Sequence, residues 1–411
     1  MSELELGEPL PAAASLNPHA AASIRILVRL HGHPLGMIDL PASVLADIDL
    51  ASLVWAEWHH EIEGHLARYH GTSARAIPEH GFGDEHPSLC SWRSVLDGDR
   101  PAATIVINTC ARSETLALTI TSALQQDYPA KLTVVDNRPA TSGLSEWLAG
   151  RFGDRLSYVA APQPGLGRAR NAGLMAATTD IVAFTDDDVL LDPSWLGWMV
   201  AGFSAAERVA CVTGLIVPLE LETQAQVLME EFSGFGKGFE QRIWDRDEHR
   251  LLHPLYPYTV GLFGSGASAA FRKDVLASMG GFDPHLGIGT PAIGGEDIDI
   301  YTRIVLGGHQ IVYQPASLLR HRHRREMSAA NRQIQGYGAG LTAMLTKHVL
   351  SDRLTRHAVL GRIPAGLRYA VSPRSPKNAR KPPDFTIRQA LLEWAGMAYG
   401  PIGYFRSRLA G

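Results

Sequence analysis

The chain has 411 residues, 45% hydrophobic and 19% charged, with a formal net charge of -4 at pH 7. That is enough sequence for one large domain with attachments or for two domains, in the proportions of an ordinary globular protein. The mild negative charge offers no global attraction to nucleic acid, so no nucleic-acid partner is expected. Three scattered cysteines, Cys90, Cys110 and Cys211, build no disulfide framework and no Cys-x-x-Cys pair, which fits a reducing compartment.

The first 22 residues are rich in Ala and Pro and lack the charged-then-apolar order of a signal peptide; they read as a disordered lead-in. Alternating Ile24, Ile26, Val28 and Leu30, the turn-like His31-Gly32-His33-Pro34, then Met37, Ile38 and Leu40 predict a hairpin. From Asp49 to Tyr69, Leu53, Trp55, Trp58, Ile62 and Leu66 recur at helical spacing. Residues 23–100 therefore read as a small accessory α+β module. Within it, His60-Glu61-Ile62-Glu63-Gly64-His65 superficially resembles a zinc-binding helix. Its second His falls at i+5, about 140° away on a helix of 3.6 residues per turn. No metal is expected there, and His59, His60 and His65 are expected on the surface.

From Thr104 the texture changes to short β-branched strands alternating with helices: strands at 104–107, 132–135, 156–159 and 181–184, helices at 113–126, 142–149 and 167–177. That alternation predicts a Rossmann-like, mostly parallel sheet with flanking helices. Later elements are less regular. Strands are expected at 267–271 and 309–313, and helices at 273–279 and 297–306. A helix over 331–350 is weakened by Gly336, Gly338 and Gly340. The Pro-rich, basic stretch 372–384 reads as a linker before a final helix near 387–398. Residues 101–330 would form the main domain and 331–411 a helical C-terminal extension.

Ligands of open parallel sheets bind beyond the carboxyl ends of the strands. Two predicted strands end in acids there, one in Asp136-Asn137 and one in Asp186-Asp187-Asp188. Adjacent carboxylates raise one another's pKa, and a divalent cation such as Mn2+ or Mg2+ removes that penalty. Gly294-Gly295-Glu296-Asp297 opens a predicted helix, where the N-terminus favours an ionised carboxylate suited to a general base. Leu319 to Arg325 clusters cations, His321 among them. The Pro164–Gly173 stretch puts glycines beside a helix start, a weak phosphate-binding signal on its own.

Together these residues resemble the family 2 glycosyltransferases. The resemblance runs from about Ala103 to Arg325 and rests on the order and spacing of the motifs: the first strand and Arg112-Ser113-Glu114, Val134-Val135-Asp136-Asn137, Gly167 to Asn171, Thr185 to Val189, Gly294 to Asp299, and His321. It implies a GT-A fold and an inverting transfer from a nucleoside-diphosphate sugar, with a UDP- or dTDP-sugar the first to test. Thr109 and Asp136 would grip the base, with Arg112 beside them. Arg168 and Asn171 would steady the donor. Asp186 and Asp188 match the DXD motif, with Asp187 counted among the donor contacts. Asp188, Asp186 and His321 would hold Mn2+ or Mg2+. Asp297 would be the catalytic base, and Glu296 would shape the acceptor site.

The sequence departs from the family in Asn108-Thr109, where Pro-Thr is usual, in the module before Thr104, and in lacking C-terminal hydrophobic helices. No apolar run approaches the roughly 20 residues that cross a bilayer. A cytoplasmic transferase is expected, with peripheral contact at the inner face of a membrane left open. Its acceptor would be a small molecule, a glycan or a lipid-linked acceptor, received by variable loops over 219–262 and the region after Asn331, with 232–239 either a mobile lid over a sugar or an ordinary flexible loop. The last helix would dock on the core, a partner or anionic lipid. Competing readings are a haloacid-dehalogenase-type phosphatase, disfavoured by Leu190, a sugar nucleotidyltransferase, disfavoured by the glycine-free loop after the first strand, and a non-catalytic binding scaffold.

Overall fold

The computed structural model describes the chain except residues 18–20, 84–88, 97, 99, 260, 373, 380, 383 and 411. Two compact units emerge: Met1–Arg100 with Gly238–Gln241, and Pro101–Lys237 with Arg242–Gly411.

In the first unit, β1 (Ser2–Glu5), β2 (Ser23–Leu30) and β3 (His33–Pro41) form a sheet in that order. β2 and β3 make the hairpin, and β1 lies parallel to β2. The lead-in expected to be disordered therefore begins with a strand. Leu4 and Leu6 are buried in one core with Ile26 and Val28, a gain that Ala/Pro-rich composition conceals. The helix Leu50–His70 is capped by Asp49, whose side chain accepts from the Ser52 amide. It lays Leu50, Val54, Ile62 and Leu66 on the same core. His65 sits on that apolar stripe and is buried, contrary to its expected surface position. Burial and the imidazoles around it push its pKa down to about 3.

The second unit holds β4 (Ala103–Thr109), β5 (Ala130–Asp136), β6 (Ser157–Ala160), β7 (Ile181–Thr185), β8 (Val189–Leu191), β9 (Val209–Pro218), β10 (Arg242–Trp244), β11 (Ser268–Arg272) and β12 (Gln310–His321). They pair in the order β10-β12-β9-β11-β7-β4-β5-β6, with β8 against β12. β6, β5, β4 and β7 run parallel, so their connections cross over through the helices Glu114–Leu124, Leu144–Phe152 and Leu166–Ala176. Every residue of β4 is buried, as expected of a strand covered on both faces. Beyond β7 the sheet is mixed: β11 is antiparallel to β7 and β9, and β12 is parallel to β9 but antiparallel to β8 and β10.

The glycines that weaken the helix near 331–350 instead pack it. The helix runs Met327–Leu350, and a Cβ at Gly338 would collide with the Glu393 carbonyl of the last helix, Ile387–Leu409. In return, a Cβ at Gly396 would strike the Gln335 carbonyl. Thr342 Oγ1 bridges the pair by donating to Met397 O at 2.8 Å. The same glycine-rich face meets the start of the helix Glu296–Leu306, where a Cβ at Gly340 would lie 2.8 Å from Gly294 C.

Asp299 locks this arrangement from beneath. Its buried carboxylate meets Arg303 Nε at 2.8 Å, Lys347 Nζ at 2.6 Å and His348 Nε2 at 3.1 Å. Burial acts to raise its pKa, but the His348 hydrogen bond and the Lys347 and Arg303 charges outweigh burial and hold it well below the usual carboxylate range. We expect Asp299→Ala to cost about 3–5 kcal/mol, as when one partner of a buried ion pair is removed. Asp299's contribution is full above its unfolded pKa of about 3.9 and fades as the pH falls through the lower folded value. Denaturant unfolding near neutral pH measures it; an unchanged midpoint and slope would show that the network does not hold the helices.

Candidate active site

Strand register assembles the site. Thr109 pairs with Asp136 and Ile107 with Thr185, so the ends of β4, β5 and β7 share one edge. The chain leaves β7 as Asp186-Asp187-Asp188 and returns in β8, where Val189 pairs with His321 at the end of β12. Residues 133 positions apart in sequence thus become neighbours: His321 Nε2 lies 3.3 Å from Asp188 Oδ1. Asp186, Asp188 and His321 each offer a ligand atom within 4.8 Å of the others. Arg324 Nη1 stands 3.7 Å from Asp188 Oδ2. Burial pulls Asp188 upward and His321 downward in pKa, but their mutual contact wins and shifts each the opposite way, favouring the ion pair.

Behind this cluster lies a residue that motif reading did not select. Arg170 is buried with its guanidinium 3.1 Å from Glu296 Oε1 and 3.7 Å from Asp186 Oδ1. Gly266 makes room for it: a Cβ there would sit 2.6 Å from Arg170 Nη2. The sequence signal was an arginine on the apolar stripe Leu166, Ala169, Gly173, Leu174, which requires an acidic partner inside. Glu296, expected to shape the acceptor site, is instead only 5% exposed and faces Arg170. Burial and neighbouring Asp297 raise its pKa despite Arg170. Asp297 is half-buried; its Oδ2 accepts from the Gly266 amide at 3.1 Å and its Oδ1 from the Ile298 amide at 2.8 Å.

The residues expected to grip the donor divide into two groups. Thr109 Oγ1 donates to Asp187 Oδ2 and lies at the acidic cluster; Arg112 is exposed nearby on the loop after β4. Asp136 is fully buried and accepts from the Arg138 amide at 2.9 Å, from Ser142 Oγ and from Tyr158 OH at 3.1 Å. Asn171 clamps the Phe282 main chain with two 2.8 Å bonds, and Arg168 Nε donates to Pro284 O at 3.1 Å. Those two side chains fasten the 282–284 turn to the helix Leu166–Ala176. In the stretch 232–239, Phe235 stacks 5.6 Å from His323 and edge-on 5.4 Å from His321.

The donor set fits a divalent cation. Two carboxylates and an imidazole converge, while Glu296 Oε2, Arg170 Nε and both Asn108 amide atoms are buried without hydrogen-bond partners among the described residues. Such atoms collect where an ion or ligand completes a site. Burial pushes Asp187 up to about 6, with Thr109 opposing and the flanking Asp188 and Asp186 adding. A carboxyl raised on folding loses stability as the pH climbs from its unfolded value near 3.9 through about 6. Asp187→Asn should therefore raise the melting temperature of metal-free protein by about 2–4 °C above that range, with the gain vanishing near pH ~4. Thermal scans across pH check this; a gain independent of pH would remove charge as its cause.

A family model described as "Glycosyltransferase like family 2" matches residues 101–335, more than half of the chain. The pre-mycofactocin glycosyltransferase of Mycobacterium tuberculosis is 28% identical over 218 residues, covering 53% of this chain and 43% of that protein. The glucosyl-dolichyl phosphate glucuronosyltransferase of Haloferax volcanii is 24% identical over 223 residues, covering 51% of this chain and 65% of that one. The chain thus spans less than two thirds of either relative. Among solved structures, the mannosyltransferase PcManGT from Pyrobaculum calidifontis, in complex with GDP-Man and Mn2+, gives a TM-score of 0.47 at 18% identity over 76% of this chain and 87% of that one. On the extent of the family match, the chain belongs to the family 2-like glycosyltransferases.

Proposed function

We propose that the chain is an inverting glycosyltransferase that moves a sugar from a nucleoside-diphosphate sugar to an acceptor hydroxyl. The observation that carries this reading is the Asp186, Asp188 and His321 cluster joined through buried Arg170 to the helix start that bears Asp297. Asp297 takes the proton of the acceptor hydroxyl as its oxygen attacks the anomeric carbon. The bond from that carbon to the diphosphate oxygen breaks, and the nucleoside diphosphate departs from the opposite face. The Gly266 amide aims the Asp297 carboxylate, and Glu296 holds Arg170 rather than acting as a second base. A bound divalent cation would neutralise the leaving diphosphate, with His321 favouring Mn2+ over Mg2+. Thr109 and Arg112 are placed to meet the nucleotide, with UDP and dTDP the first bases to test. Asp136, Arg168 and Asn171 shape the walls it rests on.

Donor hydrolysis and transfer, assayed with and without Mn2+, test the reading. Asp297→Asn should lower kcat by about 10²–10⁴ while leaving the donor KM nearly unchanged. Asp188→Ala should abolish the Mn2+ dependence of donor binding. Full turnover in Asp297→Asn would remove the proposed base. Donor binding without any turnover by the native chain, across acceptor classes, would favour the non-catalytic scaffold.

One feature favours a lipid-linked acceptor. No helix among the described residues is long and apolar enough to cross a membrane. The helix Ile363–Val371 nevertheless exposes Ile363, Leu367 and Val371 at four-residue spacing, flanked by Arg362 and Arg368. An apolar stripe beside basic residues suits the surface of an anionic bilayer, which would place the protein at the inner face of a cytoplasmic membrane. We expect the chain to sediment with phosphatidylglycerol vesicles and not with phosphatidylcholine vesicles. Leu367→Glu should release it; equal sedimentation of that variant would exclude this helix as the contact.

A further inference from the structure

The first unit carries a second cluster of metal-ligating groups, and it is more closed than the acidic site. Four residues from three parts of that unit meet: His31 from the β2–β3 turn, His65 and His70 from the last two turns of the helix Leu50–His70, and Cys90 from a later loop. Their ligand atoms all lie within 4.8 Å of one another. His31 Nδ1 is 3.1 Å from His65 Nε2, 3.2 Å from His70 Nε2 and 3.6 Å from Cys90 Sγ. Cys90 Sγ is 3.3 Å from His65 Nε2 and 2.9 Å from His70 Nε2.

These separations are five of the six edges of a four-ligand tetrahedron, and the sixth, between His65 and His70, is within 4.8 Å. Zinc bonds of about 2.0–2.1 Å to nitrogen and about 2.3 Å to sulfur imply edges of about 3.3 Å between nitrogens and about 3.5 Å from nitrogen to sulfur. His31 Nε2 lies 2.5 Å from the Gly83 carbonyl and is therefore its N–H donor, which leaves Nδ1 a single lone pair facing three neighbours. That outer bond is the kind that fixes the tautomer and direction of a metal-bound imidazole.

The backbone is also arranged to present His31. It occupies the left-handed region with φ 49°, in a two-residue hairpin turn with Gly32 at φ 80°. Asn, Asp or Gly normally fills that position, and a residue held there against its preference often serves a site. The Glu5 carboxylate fixes the turn by accepting from the His31 amide at 2.7 Å and the Gly32 amide at 3.0 Å. His33 Nε2, 2.7 Å from the Cys90 carbonyl, secures the opposite ligand.

We propose that His31, His65, His70 and Cys90 hold a structural zinc ion. With four protein ligands the coordination is complete, so the ion would tie the hairpin turn, the helix end and the Cys90 loop together rather than bind substrate. A unit of about 100 residues has a small core and gains most from such a clip. The His60–His65 spacing that excludes a zincin helix has no bearing on this site, because His60 is not among its ligands and two of the four come from outside the helix.

Elemental analysis of the full chain, purified without a histidine tag, tests this directly. We expect one zinc per chain, retained in Asp188→Ala and lost in Cys90→Ser and His65→Ala. Cobalt-loaded native protein should show the visible bands of tetrahedral Co2+ and a near-ultraviolet thiolate band, the latter missing in Cys90→Ser. Should those variants fail to fold, alkylation mapped by mass spectrometry decides the matter on native protein. Cys90 should be protected with zinc and labelled after chelation, while exposed Cys110 is labelled in both. A folded native chain that takes up no zinc, or one whose Cys90 labelling ignores zinc and chelator, would overturn the proposal and leave a hydrogen-bonded histidine cluster.

Discussion

The second unit is organised around an excess of negative charge at one sheet edge. Asp186, Asp187, Asp188, Glu296 and Asp297 crowd against Arg170, His321 and Arg324. Burial makes each uncompensated carboxylate costly, so Asp186, Asp187 and Glu296 are all driven toward protonation. In the proposed function, a cation bridging to a diphosphate would offset this charge. Arg170 couples the two halves of the site. It touches Asp186 at the end of β7 and Glu296 just before Asp297, so both are positioned by one side chain.

The scaffold holds Asp297 from behind. The helix Glu296–Leu306 presents Asp297 at its start and, two residues on, drives Asp299 into Arg303, Lys347 and His348. The C-terminal helices are therefore part of the site's support: their glycines let Met327–Leu350 press against the 294–295 turn and against Ile387–Leu409. The apolar and basic residues of the last helix divide accordingly, with Gly396, Gly400, Gly403 and Tyr404 buried and Leu391, Ile402 and Phe405 exposed.

Much of the catalytic unit was legible because its signals are local. Short β-branched runs ending in acids mark strand ends, and a double glycine before two acids marks a helix start. What local pattern hides is partnership. Arg170 reads as one more basic residue until Glu296, 126 positions later, closes on it. Asn171 and Arg168 sit at donor-steadying motif positions, yet their side chains bond main-chain carbonyls at Phe282 and Pro284. The strands β8 and β10, three residues each, are too short to show a period. The glycines of Met327–Leu350 argue against a helix on propensity alone, and close packing reverses that preference. His65 misled in the same way, since two of the groups it meets come from a hairpin turn and a later loop.

The most direct measurement is calorimetric titration of UDP, dTDP and GDP into the native chain with and without Mn2+. If the acidic edge is a cation-bridged diphosphate site, one nucleoside diphosphate binds with a 1:1 stoichiometry, only when Mn2+ is present. Binding that ignores Mn2+, or none at all to a well-folded chain, would contradict it.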